Sequence, residues 1–245
     1  MDPTLVLFDV DGTLVNTAGA GRRALEEAFR LAFGLDDIAP AASRVRFAGK
    51  SDPTIIAEIA REAGLAGSEV ERRFPELQSG YLEALRAELA RPEPRRRVMP
   101  GVRSLLEGLA ARPEVFLGLV TGNIEEGARA KLAAFDLNRF FPDGGFASDH
   151  PDRAEIARIA HVRLSRRAGL RFAAHRVIVV GDTEMDVACA HANGFVAIAV
   201  ESGWVPREVL AASRPDALFP DLTDSAAVLA AMGLSDRGSP RGPRG

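Results

Sequence analysis

Residues 5–17 read LVLFDVDGTLVNT, an apolar run that leads into two carboxylates, Asp9 and Asp11, one residue apart, and then into Gly12, Thr13 and a turn. An unbroken apolar run of this length has the pattern of a β-strand buried on both faces. Two negative charges at the end of such a strand repel each other, and a buried charge is tolerated only where something compensates it. The stretch therefore poses a fold question and a chemical question together.

Working outward, three more runs share the strand pattern: VFLGLVTGN (115–123), RVIVVGDTEMD (176–186) and FVAIAVESG (195–203), with a weaker candidate in DALFPDL (216–222). Helix-compatible sequence follows each of the four strong runs. Continuous apolar strands alternating with helices imply a parallel sheet covered by helices on both faces, an α/β doubly wound, Rossmann-like fold. About a hundred residues without a comparable strand separate the first run from the second. They hold amphipathic helical stretches over 20–33, 52–63 and 67–90, the last with Pro75 as a potential break, and then the Pro- and Arg-rich linker RPEPRRRVMPG (91–101). The expected organisation is a core of residues 1–16 and 97–234, an inserted α-helical cap over 17–96, and a disordered tail over 235–245.

The net charge of −3 gives no basic field for nucleic acid or an anionic membrane, and no apolar run approaches the length of a membrane span. A single cysteine, Cys189, allows no intramolecular disulfide and no thiolate metal cluster. With no targeting segment at the N-terminus, the expected setting is the cytoplasm, as a monomer or homodimer. Lys50 and Lys131 are the only lysines among 31 basic residues, so a site that needs a lysine has two candidates.

In open α/β sheets, ligands sit at the carboxyl ends of the strands, near the switch point of the strand order. Three strand ends here carry polar groups: Asp9 and Asp11, then Thr121, Gly122 and Asn123, then Asp182, Thr183 and Asp186. Four carboxylates gathered there call for a hard cation, and oxygen ligands without His or Cys suit Mg²⁺. Mg²⁺ typically takes one or two carboxylates plus a phosphate oxygen, so the site should handle phosphate. A carboxylate can attack phosphorus in line, and a second one two residues on can pass a proton to the leaving oxygen and later take one from water.

On these motifs the chain resembles the haloacid dehalogenase superfamily, in particular its phosphoglycolate phosphatase-like members with an α-helical cap. DVDGT, VTGN and GDTEMD resemble the family's first, second and fourth motifs, and MPGV and ANG match in order and placement. The resemblance implies Asp9 as nucleophile and Asp11 as general acid/base, the latter also giving its backbone carbonyl to Mg²⁺. It implies that Thr121 hydrogen-bonds the transferring phosphoryl group, with Gly122 and Asn123 beside it. Asp182 would ligate Mg²⁺ directly, and Asp186 would act through water or hold the loop.

The family's third motif supplies a lysine, and no lysine follows Lys131. In FASDHPDRAEIARIA (146–160), Arg153 is the best substitute, with Arg158 and Lys50 as alternatives. Lys131 is expected on a solvated helix face. Lys50, in FAGKSDPTI (47–55), resembles a residue of the cap loop that reads the leaving group, and Ser51, Asp52 and Pro53 read equally as a helix start. His150 beside Asp149 is expected to be structural.

The expected function is Mg²⁺-dependent hydrolysis of a small-molecule phosphomonoester, phosphoglycolate-like, through an aspartyl-phosphate. A sugar-phosphate mutase like β-phosphoglucomutase would use the same carboxylates, but AGAG (18–21) lacks the histidine expected of one. A non-catalytic Mg²⁺-binding module is the remaining alternative. Asp11 argues against dehalogenation, which needs neither that acid/base nor a metal.

Overall fold

The structure is a computed structural model that describes residues 2–35 and 37–234. The tail expected over 235–245 lies outside the described residues. In chain order the elements are β1 (Thr4–Phe8), β2 (Val15–Asn16), α1 (Ala20–Phe33), α2 (Ala39–Ser43), α3 (Asp52–Glu62), α4 (Gly67–Ala90), β3 (Arg97–Val98) and α5 (Val102–Ala110). They continue with β4 (Val115–Val120), α6 (Glu125–Ala133), β5 (Gly144–Gly145), α7 (Arg153–Ala168), β6 (Val177–Gly181), α8 (Glu184–Ala192), β7 (Val196–Val200), α9 (Arg207–Ala212), β8 (Ala217–Phe219) and α10 (Ser225–Ala231).

Six strands form one sheet in the order β5-β4-β1-β6-β7-β8, and every neighbouring pair is parallel. The doubly wound α/β architecture expected from the apolar runs is present. Side-chain alternation explains its layers. Leu5 and Leu7 of β1, with Val177 and Val179 of β6, pack toward α7 and α8. Val6 and Phe8, with Ile178 and Val180, pack toward α5, α6 and α10. The chain leaves β1 for β4 and β5 on one side and returns to β6, β7 and β8 on the other. The loops after β1, β4 and β6 therefore converge at the switch point.

Helices α1 to α4 lie between the short antiparallel pair β2 and β3. Ala20, Ala24, Leu25, Ala28, Phe29 and Ala32 form the buried stripe of α1, at helical spacing. Opposite it, α4 buries Val70, Leu77, Tyr81 and Leu85. Pro75 does not interrupt α4, which runs unbroken from Gly67 to Ala90. Nor is the segment 91–101 a featureless linker. The Arg96 guanidinium donates to the carbonyls of Glu88, Leu89 and Arg91, satisfying the free carbonyls at the α4 C-terminus, and Arg97–Val98 pairs with β2. No helix among the described residues is long and apolar enough to cross a membrane.

Candidate active site

The loop after β1 turns within a few residues. Gly12 N–H donates to the Val15 carbonyl at 2.9 Å and Gly12 adopts φ +86°, a backbone conformation that favours glycine. Asp9 is anchored by its own N–H, which donates to the Val180 carbonyl of β6 at 2.9 Å. This places the Asp9 side chain between the β1 and β6 ends, where carboxylate oxygens of Asp9, Asp182 and Asp186 lie within 4.8 Å of one another, all three buried.

Each of these carboxylates is held differently. Asp182 Oδ1 accepts from Thr13 Oγ1 at 3.1 Å. Asp186 Oδ2 accepts from Thr183 N–H at 3.0 Å and from Thr183 Oγ1 at 2.6 Å, a capping box that opens α8, while its Oδ1 pairs with Arg153. Both Asp186 oxygens are thus engaged by Thr183 and Arg153. Arg153 is the first residue of α7, behind the Asp152 N-cap, and its Nη2 reaches Asp9 Oδ1 at 3.3 Å. Its buried Nε has no hydrogen-bond partner among the described residues.

One guanidinium faces three carboxylates, and the remaining negative charge is paid for in protonation equilibria. Burial, then repulsion from Asp186, pushes the Asp9 carboxyl up to about 7, against the lowering effect of Arg153. Burial, followed by Asp9 and Asp186, holds Asp182 well above the usual carboxylate range. Deprotonated together, these groups fit a divalent cation with oxygen ligands, and the absence of His or Cys from the set suits Mg²⁺. A Cβ on Gly203 would overlap the Asp182 carboxylate, so this approach requires glycine. Gly203→Ala should cost about 1–3 kcal/mol in denaturant unfolding, as overpacking typically does, and weaken metal binding by forcing Asp182 aside.

The Asp11 side chain lies outside this carboxylate group. Its Oδ2 accepts from Lys131 Nζ at 2.5 Å and from Asn123 Nδ2 at 2.9 Å. Asn123 also donates to Thr121 Oγ1 at 2.8 Å, and its Oδ1 accepts from Lys131 at 2.5 Å. Lys131 is thus not on a solvated face: it is 4% exposed, on the inner side of α6. The signal for it was in the spacing, because Ile124, Gly127, Ala128 and Lys131 fall at i, i+3, i+4 and i+7, one helical stripe.

Gly122 meets the segment before α3 edge on. Its carbonyl accepts from Asp52 N–H at 2.7 Å, and a Cβ there would strike the Lys50 carbonyl. Lys50 borders the site, but its ammonium donates to Glu58 Oε2 at 2.5 Å. Arg158 pairs with Glu155 on the exposed side of α7, away from the cluster. His150 Nδ1 accepts from Asp152 N–H at 3.0 Å, and Asp149 pairs with Arg163 rather than with the histidine.

A cavity of about 810 Å³ opens over the strand ends, bordered by Asp9, Asp11, Thr121, Arg153 and Asp182 below and by Leu25, Phe47, Lys50 and Tyr81 of the helical segment above. Trp204, in the loop between β7 and α9, stands at its edge and is 62% exposed.

Comparison with known proteins agrees with this arrangement. The sequence profile of haloacid dehalogenase-like hydrolases matches residues 3–194. A phosphoglycolate phosphatase of Rhodospirillum rubrum is 30% identical over 233 residues, covering 89% of this chain and 88% of the relative. One from Synechococcus elongatus is 30% identical over 219 residues, covering 89% and 93%. Among solved structures, CbbY from Rhodobacter sphaeroides in complex with phosphate superposes with a TM-score of 0.72 at 21% identity, covering 95% of this chain and 100% of that one, a likeness of fold. From motifs, sheet order and profile together, the chain belongs to the haloacid dehalogenase-like hydrolase family.

Proposed function

We propose that this hydrolase is a Mg²⁺-dependent phosphatase that cleaves a small phosphomonoester through an aspartyl-phosphate on Asp9, with phosphoglycolate the first substrate to test. The observation that carries the reading is the buried oxygen-only cluster of Asp9, Asp182 and Asp186 at the switch point, with Arg153 beside the Asp9 oxygen. Phosphoglycolate enters through the names of the relatives, and one scaffold hosts many substrates.

In this reading Asp9, the Asp11 backbone carbonyl and Asp182 would hold the ion, with Asp186 bracing Thr183 and Arg153 beside it. Bound there, Mg²⁺ would neutralise charge on the phosphoryl oxygens. An Asp9 oxygen attacks phosphorus, the phosphorus–oxygen ester bond breaks, and Asp11 gives its proton to the departing alkoxide. Asp11 then takes a proton from water, which attacks the same phosphorus, releases inorganic phosphate and restores Asp9. Thr121, Gly122 and Asn123 line the phosphoryl side, and the unpartnered Arg153 Nε supplies a donor without a partner of its own. Lys50 stands where a leaving group would extend, and exchanging Glu58 for that group would free its ammonium. A cytoplasmic setting suits the free thiol of Cys189.

The test is inorganic phosphate release from a panel of phosphomonoesters, phosphoglycolate included, with Mg²⁺ and with chelator. Turnover should need the metal and return on its readdition. Mg²⁺ at 100 times its dissociation constant should add about 2.7 kcal/mol of stability, a rise in Tm of roughly 5–10 °C for a chain of this size. Mg²⁺ binding without release from any ester would overturn the reading.

A further inference from the structure

Two cationic side chains no more than 10% exposed reach the site, and hydrolysis as described uses only Arg153. Lys131 is the other. Taking an ammonium out of water is expensive unless its donors are all placed, so its partners indicate what it is for. A purely structural lysine would tie α6 to the helices above it. Lys131 instead directs its hydrogen bonds to Asp11 and Asn123, two residues from the strand-end loops that border the cavity.

Those bonds close a small network. Asn123 donates to the same Asp11 oxygen that Lys131 does, and Asn123 is itself tied to Thr121. Asp11 Oδ2 therefore takes two donors, while no hydrogen bond engages Oδ1 among the described residues. A carboxylate with one oxygen pinned and the other open, at a cavity wall, has a fixed orientation toward whatever enters.

The lysine is held in place from three helices. Asp52 begins α3, is half-buried, and accepts the Ile124 N–H at the start of α6 at 2.9 Å. Tyr81 of α4 is buried close by. A Cβ on Gly21 of α1 would sit 3.4 Å from Lys131 Nζ and 3.8 Å from Tyr81 Oη, so little room remains for the ammonium to move. Burial alone would lower its affinity for a proton, and the Asp11 and Asp52 carboxylates more than offset that.

We propose that Lys131 is a positioning residue for Asp11, fixing Oδ2 together with Asn123 so that Oδ1 is presented to the leaving-group oxygen. The proposal rests on the reading of Asp11 as the acid/base. Proton transfer needs the donor within hydrogen-bond reach of the oxygen, and an error of about 1 Å in such placement can cost about 10²-fold.

The experiment compares kcat/KM for an alkyl phosphomonoester and for p-nitrophenyl phosphate in wild type, Lys131→Met and Lys131→Arg. An alkoxide needs the proton as it leaves, whereas nitrophenolate does not. Lys131→Met should lower kcat/KM for the alkyl ester by about 10²-fold and for the aryl ester by less than about 3-fold. Lys131→Arg keeps the charge, but its planar fork cannot hold Oδ2 and Asn123 as the ammonium does, so the same split should appear in reduced size. A parallel thermal-unfolding cycle with Asp11→Asn reads the pair without activity, and the shifts in Tm should be non-additive.

Equal losses on both esters, no loss, or additive shifts in Tm would overturn the assignment of Lys131 alone. A wild type that turns over neither ester, with the stability cycle still non-additive, would instead overturn the acid/base reading of Asp11, and the positioning role with it, while leaving the ion pair.

Discussion

Asp9→Asn is expected to lower kcat by roughly 10⁴-fold or more on every substrate the wild type accepts, because in the proposed mechanism it removes the attacking oxygen rather than an auxiliary contact. The fold should survive the change. Asparagine has the same shape and removes one of three buried carboxylates that repel one another. The sign of the stability effect follows from the Asp9 carboxyl, which burial and Asp186 raise from 3.8 to about 7. In metal-free buffer the folded state holds that proton more tightly than the unfolded chain does. The stability this contributes is fully present below about 3.8 and is lost as pH rises through about 7. The variant should lack that slope and, at pH 8 without Mg²⁺, unfold at the same temperature as the wild type or a higher one. Phosphate release assays and thermal melts across pH check both halves; turnover retained within about tenfold would remove Asp9 from the nucleophile's place.

Arg153→Ala carries the second large effect, and it should appear in stability as well as in rate. Arg153 is shared by Asp9 and Asp186, with its side chain 10% exposed, so its loss leaves two buried carboxylates without their guanidinium. Breaking a buried pair in this way costs about 3–5 kcal/mol, which denaturant unfolding would register. If Arg153 donates to a phosphoryl oxygen, as proposed, its removal should lower kcat/KM by about 10²–10³-fold. Arg153→Lys restores the charge without the fork and should recover part of each loss. A large loss of stability with kcat/KM kept within about 3-fold at a permissive temperature would make Arg153 a brace for Asp186 and the start of α8, and nothing more.

The elements legible in the sequence are those whose signal is local. Each long strand of the sheet is an unbroken apolar run, and the weaker run near 216–222 appears as β8. Polar residues cluster at strand ends because only there does the chain leave the apolar layer. What was not legible depends on partners far along the chain. Gly144–Gly145 has no side chains to announce a strand and becomes one only through pairing with Leu119 and Val120. The stripe that includes Lys131 shows in the spacing of EEGARAKLA, but its carboxylate partner, 120 residues away, does not. The role of Arg96 in closing the end of α4 is likewise invisible in a string of three arginines, since only the fold decides which of them turns back.

Trp204 is the only tryptophan of the chain, and it stands at the edge of the cavity with more than half of its surface open to solvent. Native emission excited at the indole band therefore comes from one place, beside the strand ends. A ligand that enters, or a helical segment that settles over it, changes the wetting of that ring and with it the colour and intensity of the light. The protein carries its own optical probe of occupancy, readable by stopped flow without labels, before any product is assayed.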